Sequence, residues 1–184
     1  TKQFCVKQNV TLFTVLLAGY YMLLSKYSNQ EEIIIGTPYA CRKTRQREEL
    51  YGYCLNMLPL RLRSMGNDTL QDIVQKVQET LNNGIDNSDY PFIWTVEDLK
   101  IERDTSYSPV FQVMFDMLNF PKVNFPIDSN ISLNFEEIDI GYKKYDLEMY
   151  GNEQDGKIYV RISYLTDLFS DYTINQFLES YEKI

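Results

Sequence analysis

Residues Leu12, Phe13, Leu16, Leu17, Tyr20, Leu23, Leu24 and Tyr27 recur at spacings of three and four, and shortly after them Ile33-Ile34-Ile35 runs unbroken into Gly36-Thr37-Pro38. The first pattern is a helix with a wide apolar face. The second is a short strand covered on both faces, because an uninterrupted apolar run has no side to leave in water. A long buried helix feeding directly into a buried strand requires helices layered on a sheet. The expected class is therefore α/β, a two-layer sandwich of a mixed sheet and helices. At 184 residues the chain has the length of one domain with a sizeable core.

The rest of the chain continues this alternation. The polar stretch Tyr39–Glu49, which holds Arg42, Lys43, Arg45 and Arg47, reads as an exposed loop, and Tyr51–Leu62 reads as the next strand. Asp68 or Thr69 caps a helix with Leu70, Ile73, Val74, Val77 and Leu81 on one face, and Asn82-Asn83-Gly84 supplies its stop. A shorter helix is predicted from about Pro91 to Leu99, with Asp89 as its natural cap. Val110–Leu118, Ile131–Ile138, Tyr145–Tyr150 and Lys157–Leu165 read as strands and Phe120–Asp128 as a loop. The last two strands form a hairpin joined by Gly151–Gly156, with Ile158, Val160, Ile162 and Tyr164 on its packed face. Asp171 caps a closing helix through Ile174, Phe177, Leu178 and Tyr181.

Composition removes several functions. With no histidine, the chain alone assembles no Ser-His-Asp or Cys-His machinery and no His-ligated zinc. A net charge of −8 repels phosphate backbones and anionic lipid, so nucleic acid and membrane surfaces are not expected partners. Cys5, Cys41 and Cys54 are odd in number and contain no C-x-x-C pair, which argues against a disulfide framework or a thiolate metal site and fits a reducing, cytoplasmic setting. The apolar stretch Val10–Leu24 is interrupted by Thr11, Thr14 and Gly19 and reads as a buried helix, not a membrane span or signal peptide. Glu136-Glu137 and Asp146 with Glu148 are the close acidic sets, and carboxylates so placed on strands are usually solvated.

Three segments carry a family signature. Gly52-Tyr53-Cys54-Leu55-Asn56-Met57-Leu58-Pro59-Leu60-Arg61 resembles the Gly-x-Phe-Val-Asn-Thr-x-x-x-Arg motif of condensation domains from nonribosomal peptide synthetases. Asn87-Ser88-Asp89-Tyr90-Pro91-Phe92-Ile93 looks like that family's His-Gln-Asp-Tyr-Pro-Phe-Glu segment, and Arg103-Asp104-Thr105-Ser106-Tyr107-Ser108-Pro109-Val110 like its Arg-Asp-x-Ser-Arg-Asn-Pro-Leu. The three occur in the family's order, with support from Ile35-Gly36-Thr37-Pro38 followed by Arg42, and the resemblance covers essentially the whole chain.

The resemblance implies one lobe of a fold similar to chloramphenicol acetyltransferase, namely the C-terminal lobe over residues 1–184. The family's His-His-x-x-x-Asp-Gly motif belongs to the N-terminal lobe, which leaves this chain with no catalytic residue of its own. The whole domain would join a donor acyl or peptidyl group to an acceptor aminoacyl group. Both arrive as thioesters on the phosphopantetheine arms of carrier proteins, and no cofactor is bound by this chain itself. On that basis Gly52 allows close backbone approach along the substrate tunnel, and Gly36, Thr37 and Pro38, ending a strand, sit near the cleft floor. Asn56 either bonds pantetheine or acceptor groups or satisfies a neighbouring backbone.

Arg42, Arg61, Asp89, Pro91, Phe92, Arg103, Asp104 and Ser106 hold motif positions expected to be structural, while the Arg42–Arg47 charges face either an acidic carrier protein or water. Phe92, Phe111 and Phe115 are expected core residues. The implied partners are the N-terminal lobe, carrier proteins and adjacent synthetase domains, with self-association through the bared lobe interface. The alternative is a free-standing, non-catalytic module that docks a carrier protein or partner lobe.

Overall fold

Thr11 starts the central helix by accepting a hydrogen bond from the Thr14 amide through its side chain, and Asn29 ends it in the left-handed conformation at φ 54°. In this computed structural model, which describes residues 1–64, 66–101, 106–118 and 141–184, that helix is α2 (Leu12–Ser28). A short α1 (Lys2–Gln8) precedes it. The remaining elements are β1 (Glu32–Ala40), α3 (Arg45–Glu48), β2 (Leu55–Arg63), α4 (Leu70–Asp86), α5 (Phe92–Asp98), β3 (Val113–Met117), β4 (Leu147–Gln154), β5 (Lys157–Tyr164) and α6 (Asp171–Glu182).

The described strands form one mixed sheet in the order β2-β1-β3-β4-β5. β1 pairs antiparallel with β2, placing Gly36 opposite Pro59 and Tyr39 opposite Asn56, and runs parallel to β3. β3 is parallel to β4, which returns antiparallel as β5. Leu17 and Tyr20 of α2, Val74 and Val77 of α4 and Phe177 of α6 bury one sheet face against Ile35, Leu60, Phe115 and Met149. On the opposite face a smaller cluster of Phe111, Met114 and Tyr145 packs with Ile34, Met57, Phe92 and Tyr150. The middle of β1 is thus covered on both sides, as its apolar run requires. No single helix among the described residues is long and apolar enough to cross a membrane.

Several boundaries differ from the sequence expectation, each for a physical reason. The stretch 39–49 is not all loop, because β1 continues to Ala40 and Thr44 caps the four-residue α3. β2 begins at Leu55, not Tyr51. α4 does not stop at Asn82-Asn83-Gly84 but runs to Asp86, and a Cβ on Gly84 would lie 3.0 Å from Leu60 Cδ2. That glycine serves close helix–sheet approach and does not terminate the helix. The cap of α4 is Thr69, in a reciprocal capping box with Asp72.

β3 starts at Val113, after Val110 adopts φ 72°. The hairpin loop is shorter than Gly151–Gly156. β4 runs on to Gln154, and only Asp155 and Gly156, both at positive φ, make the turn, the pairing favoured by strand twist. Ser170, not Asp171, caps α6, while Asp171 accepts a bond from the Tyr164 hydroxyl. Expectations for Phe120–Asp128, Ile131–Ile138, Glu136-Glu137, Arg103 and Asp104 lie outside the described residues.

Candidate functional site

The family-motif residues converge where β1 and β2 run out beside the α4–α5 connection, and Asn56 is the centre of that convergence. Its amide donates to the carbonyls of Ser88 (2.9 Å) and Tyr90 (2.8 Å), and its Oδ1 accepts from the amides of Phe92 and Met57, each at 3.0 Å. These four bonds use both donors and both lone pairs that an asparagine amide offers. All four partners are backbone groups of this chain. The side chain clamps segment 88–92 onto β2 across more than thirty residues of sequence.

Arg42 organises the neighbouring loop in the same way. Its guanidinium donates to the carbonyls of Arg47 (2.6 Å), Glu48 (3.2 Å), Leu50 (2.7 Å) and Gly52 (3.3 Å). The charge is spent inward on four carbonyls. Asp89 is not the cap of α5, whose N-cap is Pro91 without a side-chain bond. It binds Arg47 at 2.8 Å and Lys43 at 3.5 Å instead, and the Arg47 hydrogen bond, then Lys43, holds its carboxyl below the ordinary carboxylate value. Arg45 pairs with Glu49 at 3.7 Å, so two carboxylates serve three of the four basic loop residues while Arg42 is held by carbonyls.

The remaining expected positions separate. Gly52 lies outside β2, exposed at φ 147° with nothing of this chain within 4 Å of a notional Cβ, so its backbone conformation alone already favours glycine. Gly36 and Thr37 do not end a strand; they are buried mid-strand. The ring of Phe111 sits on Gly36, and Thr37 keeps 2% exposure with its hydroxyl unpartnered. Pro38 is half-buried opposite Met57. Arg61 lies toward the far end of β2, exposed and paired with Glu32 at 2.9 Å. Ser106 is exposed in the turn before Phe111.

Phe111 and Phe115 are core residues as expected, and Phe92 is half-buried with its ring centroid 5.4 Å from that of Phe111. Glu148 departs from the solvated reading. It is buried, accepting from the Tyr145 amide at 3.3 Å and the Tyr150 hydroxyl at 2.8 Å. Burial first, and then the hydrogen bond to Glu148, raises the Tyr150 phenol above its ordinary value. Arg161 lies 4.9 Å from the Tyr150 ring centroid.

Around this scaffold the surface is aromatic. Tyr51, Tyr53, Leu55, Tyr90, Ile93 and Trp94 are all exposed, Tyr51 fully: Tyr51 and Tyr53 between α3 and β2, Leu55 at the start of β2, Tyr90 just before α5, and Ile93 and Trp94 on α5. The Tyr90 and Trp94 rings meet edge to face at 5.7 Å. Large exposed apolar side chains are of the kind that contact surfaces use. Sequence reasoning missed Arg47 as the partner of Asp89 and Phe111 as the lid on Gly36. Neither pair is close in sequence, and no local pattern encodes either contact.

A family model described as "Condensation domain" matches residues 1–184. Surfactin synthase subunit 1 of Bacillus subtilis (strain 168) is 34% identical over 178 residues, which span 97% of this chain and 5% of that protein. Among solved structures, the condensation domain from Monacolin K polyketide synthase MokA superposes with a TM-score of 0.84 at 20% identity, covering 99% of this chain and 42% of that one. A four-domain nonribosomal peptide synthetase bound to AMP and glycine gives a TM-score of 0.84 at 24% identity, over 95% of this chain and 15% of the other. These two likenesses establish the fold, which is the mixed-sheet sandwich expected from the sequence.

Proposed function

The chain belongs to the condensation-domain family, and from that premise we propose that it is the C-terminal lobe of such a domain, contributing one wall of the tunnel in which an amide bond forms. The carrying observation is one of extent. The whole chain matches the family, yet it spans only 42% of a solved condensation domain. The three motifs in family order support the C-terminal assignment.

On this reading the reaction joins an acceptor amine to a donor thioester carbonyl, and its acid–base group is the histidine of the N-terminal lobe, since this chain has none. The chain's own residues position and bind. Asn56 is a positioning residue that sets segment 88–92, and Arg42 sets the loop carrying Gly52. The exposed aromatics Tyr51, Tyr53, Tyr90 and Trp94 meet the partner lobe or carrier proteins. Pro38 and the Gly52 backbone border the path of the phosphopantetheine arms, while Gly36 and Thr37 support that border from beneath. The bare lobe self-associates through the same aromatic surface, and its setting is the cytoplasm.

Sequencing the reading frame upstream of the Thr1 codon tests the assignment. An in-frame His-His-x-x-x-Asp-Gly segment is the expected result, and its absence from the upstream frame would overturn the proposal. In that event the lack of histidine favours the second reading, a non-catalytic module that docks carrier protein or a separate lobe. Titration against both partners distinguishes the two.

A further inference from the structure

Cys41 and Cys54 stand opposite each other at the open end of the β1–β2 ladder. The last pair in register is Ala40 with Leu55, and the next position is fixed by the Cys41 amide donating to the Cys54 carbonyl at 2.8 Å. Directly opposed residues of a hydrogen-bonded antiparallel pair have Cα atoms about 5.5 Å apart, within the range of about 4.4–6.8 Å that a disulfide spans. Their Cβ atoms need to approach by about 1–2 Å, a movement available at the end of a ladder.

The two side chains share a face. Cys41 Sγ lies 3.5 Å from the Ser88 carbonyl, the same oxygen that takes a bond from Asn56, and Cys54 lies two residues from Asn56 on the same extended chain. Both thiols are free and half-buried, so a small reagent reaches them. Arg47 lies within electrostatic reach of both sulfurs while hydrogen-bonded to Asp89. Its positive charge complements the negative charge that passes between sulfurs during exchange. Cys5, the third thiol, is buried on α1, apart from this group.

We propose that Cys41 and Cys54 form an oxidant-responsive dithiol that closes to a reversible disulfide with a small-molecule disulfide of the glutathione type. The attacking thiolate displaces one glutathione as its thiol and forms a mixed disulfide. The second cysteine then displaces the other glutathione. Two protein thiols are oxidised, two hydrogens leave with the two glutathione molecules, and one S–S bond forms in the protein as one breaks in the reagent. The closed ring locks residues 42–53, the loop caged by Arg42, beside the Asn56 clamp. The inference does not depend on the proposed amide-forming role. It also differs from a structural disulfide framework, since the link proposed is reversible and involves one pair of thiols.

The reduced chain, residues 1–184, is equilibrated with glutathione disulfide, quenched in acid, labelled with a maleimide and measured by mass spectrometry. The expected product has lost two hydrogens, retains one labelled thiol at Cys5, yields a linked Cys41–Cys54 peptide pair and reverts with dithiothreitol. Cys5→Ser keeps the link, whereas Cys41→Ser and Cys54→Ser lose it and carry one glutathione adduct on the remaining partner. Separate glutathione adducts on Cys41 and Cys54 of the unsubstituted chain overturn the proposal. So does a link that involves Cys5, or full maleimide labelling at a ratio that oxidises the urea-unfolded chain.

Discussion

The ring of Phe111 lies directly over Gly36, so that a Cβ at position 36 would sit 2.1 Å from Phe111 Cε2. This contact seals the face of β1 opposite the helices and makes a strand residue without a side chain a condition of the fold. Gly36→Ala is therefore expected to destabilise the chain by about 1–3 kcal/mol through overpacking. Phe111→Leu in the same chain relieves the clash, so urea midpoints for the double variant should lie above the sum of the two single losses. Strict additivity of the two substitutions would show that the ring does not rest on the glycine.

Asn56 joins β2 to segment 88–92 through four hydrogen bonds, and its replacement tests whether that clamp organises the aromatic surface. Asn56→Ala is expected to cost about 1–3 kcal/mol, because the amides and carbonyls it served lose their partners. The Phe92 amide, bonded to Asn56 Oδ1, should exchange with deuterium markedly faster, while amides in the β4–β5 hairpin keep their rates. A uniform acceleration across both regions would mean that the clamp is simply one part of global stability.

The pairing of Asp89 with Arg47 predicts a pH dependence of definite sign. The Arg47 hydrogen bond, aided by Lys43, holds the Asp89 carboxyl below its ordinary value in the folded chain. The unfolded chain then binds more protons between the two values. The contribution is complete above the ordinary carboxylate value and is lost as pH falls through the lowered one. Urea midpoints of the unsubstituted chain and Asp89→Asn should differ near neutral pH, converge in acid and draw together in high salt, since the pair is exposed. A difference that persists in acid would assign the effect to packing.

What could be read from residues alone followed the range of the forces involved. Apolar period identified α2, α4, α6, β1 and β5, because burying a stripe or a face is decided within a dozen residues. Local rules failed where a distant residue outbid them. Asp89 preceding Pro91 has the form of a helix cap, but Arg47 from the opposite loop offers a full charge. Gly84 has the form of a stop signal, but Leu60 of the sheet needs the space. Gly151 reads as the start of a turn, yet a Cβ there would meet Met117 and Leu16, and the turn falls at Asp155-Gly156. The convergence of Arg42, Asn56 and Asp89 was signalled only by the family motifs, because carbonyl cages and side-chain clamps leave no periodicity.

The buried carboxylate on the open sheet face supplies the last test. Glu148 retains 8% exposure and takes a side-chain hydroxyl bond from Tyr150, whose ring carries Arg161 against it. A hydrogen bond to a charged group contributes about 1.5–3 kcal/mol, so Tyr150→Phe should lower stability by that amount although it removes a single oxygen. Glu148→Gln keeps the shape and the acceptor for the Tyr145 amide but surrenders the charge that strengthens both bonds. If the two residues act as one unit, the double variant should be less destabilised than the sum of the singles by about 1 kcal/mol in denaturant unfolding. Additive losses would separate them, leaving Tyr150 as a packing residue and Glu148 held by the backbone amide alone.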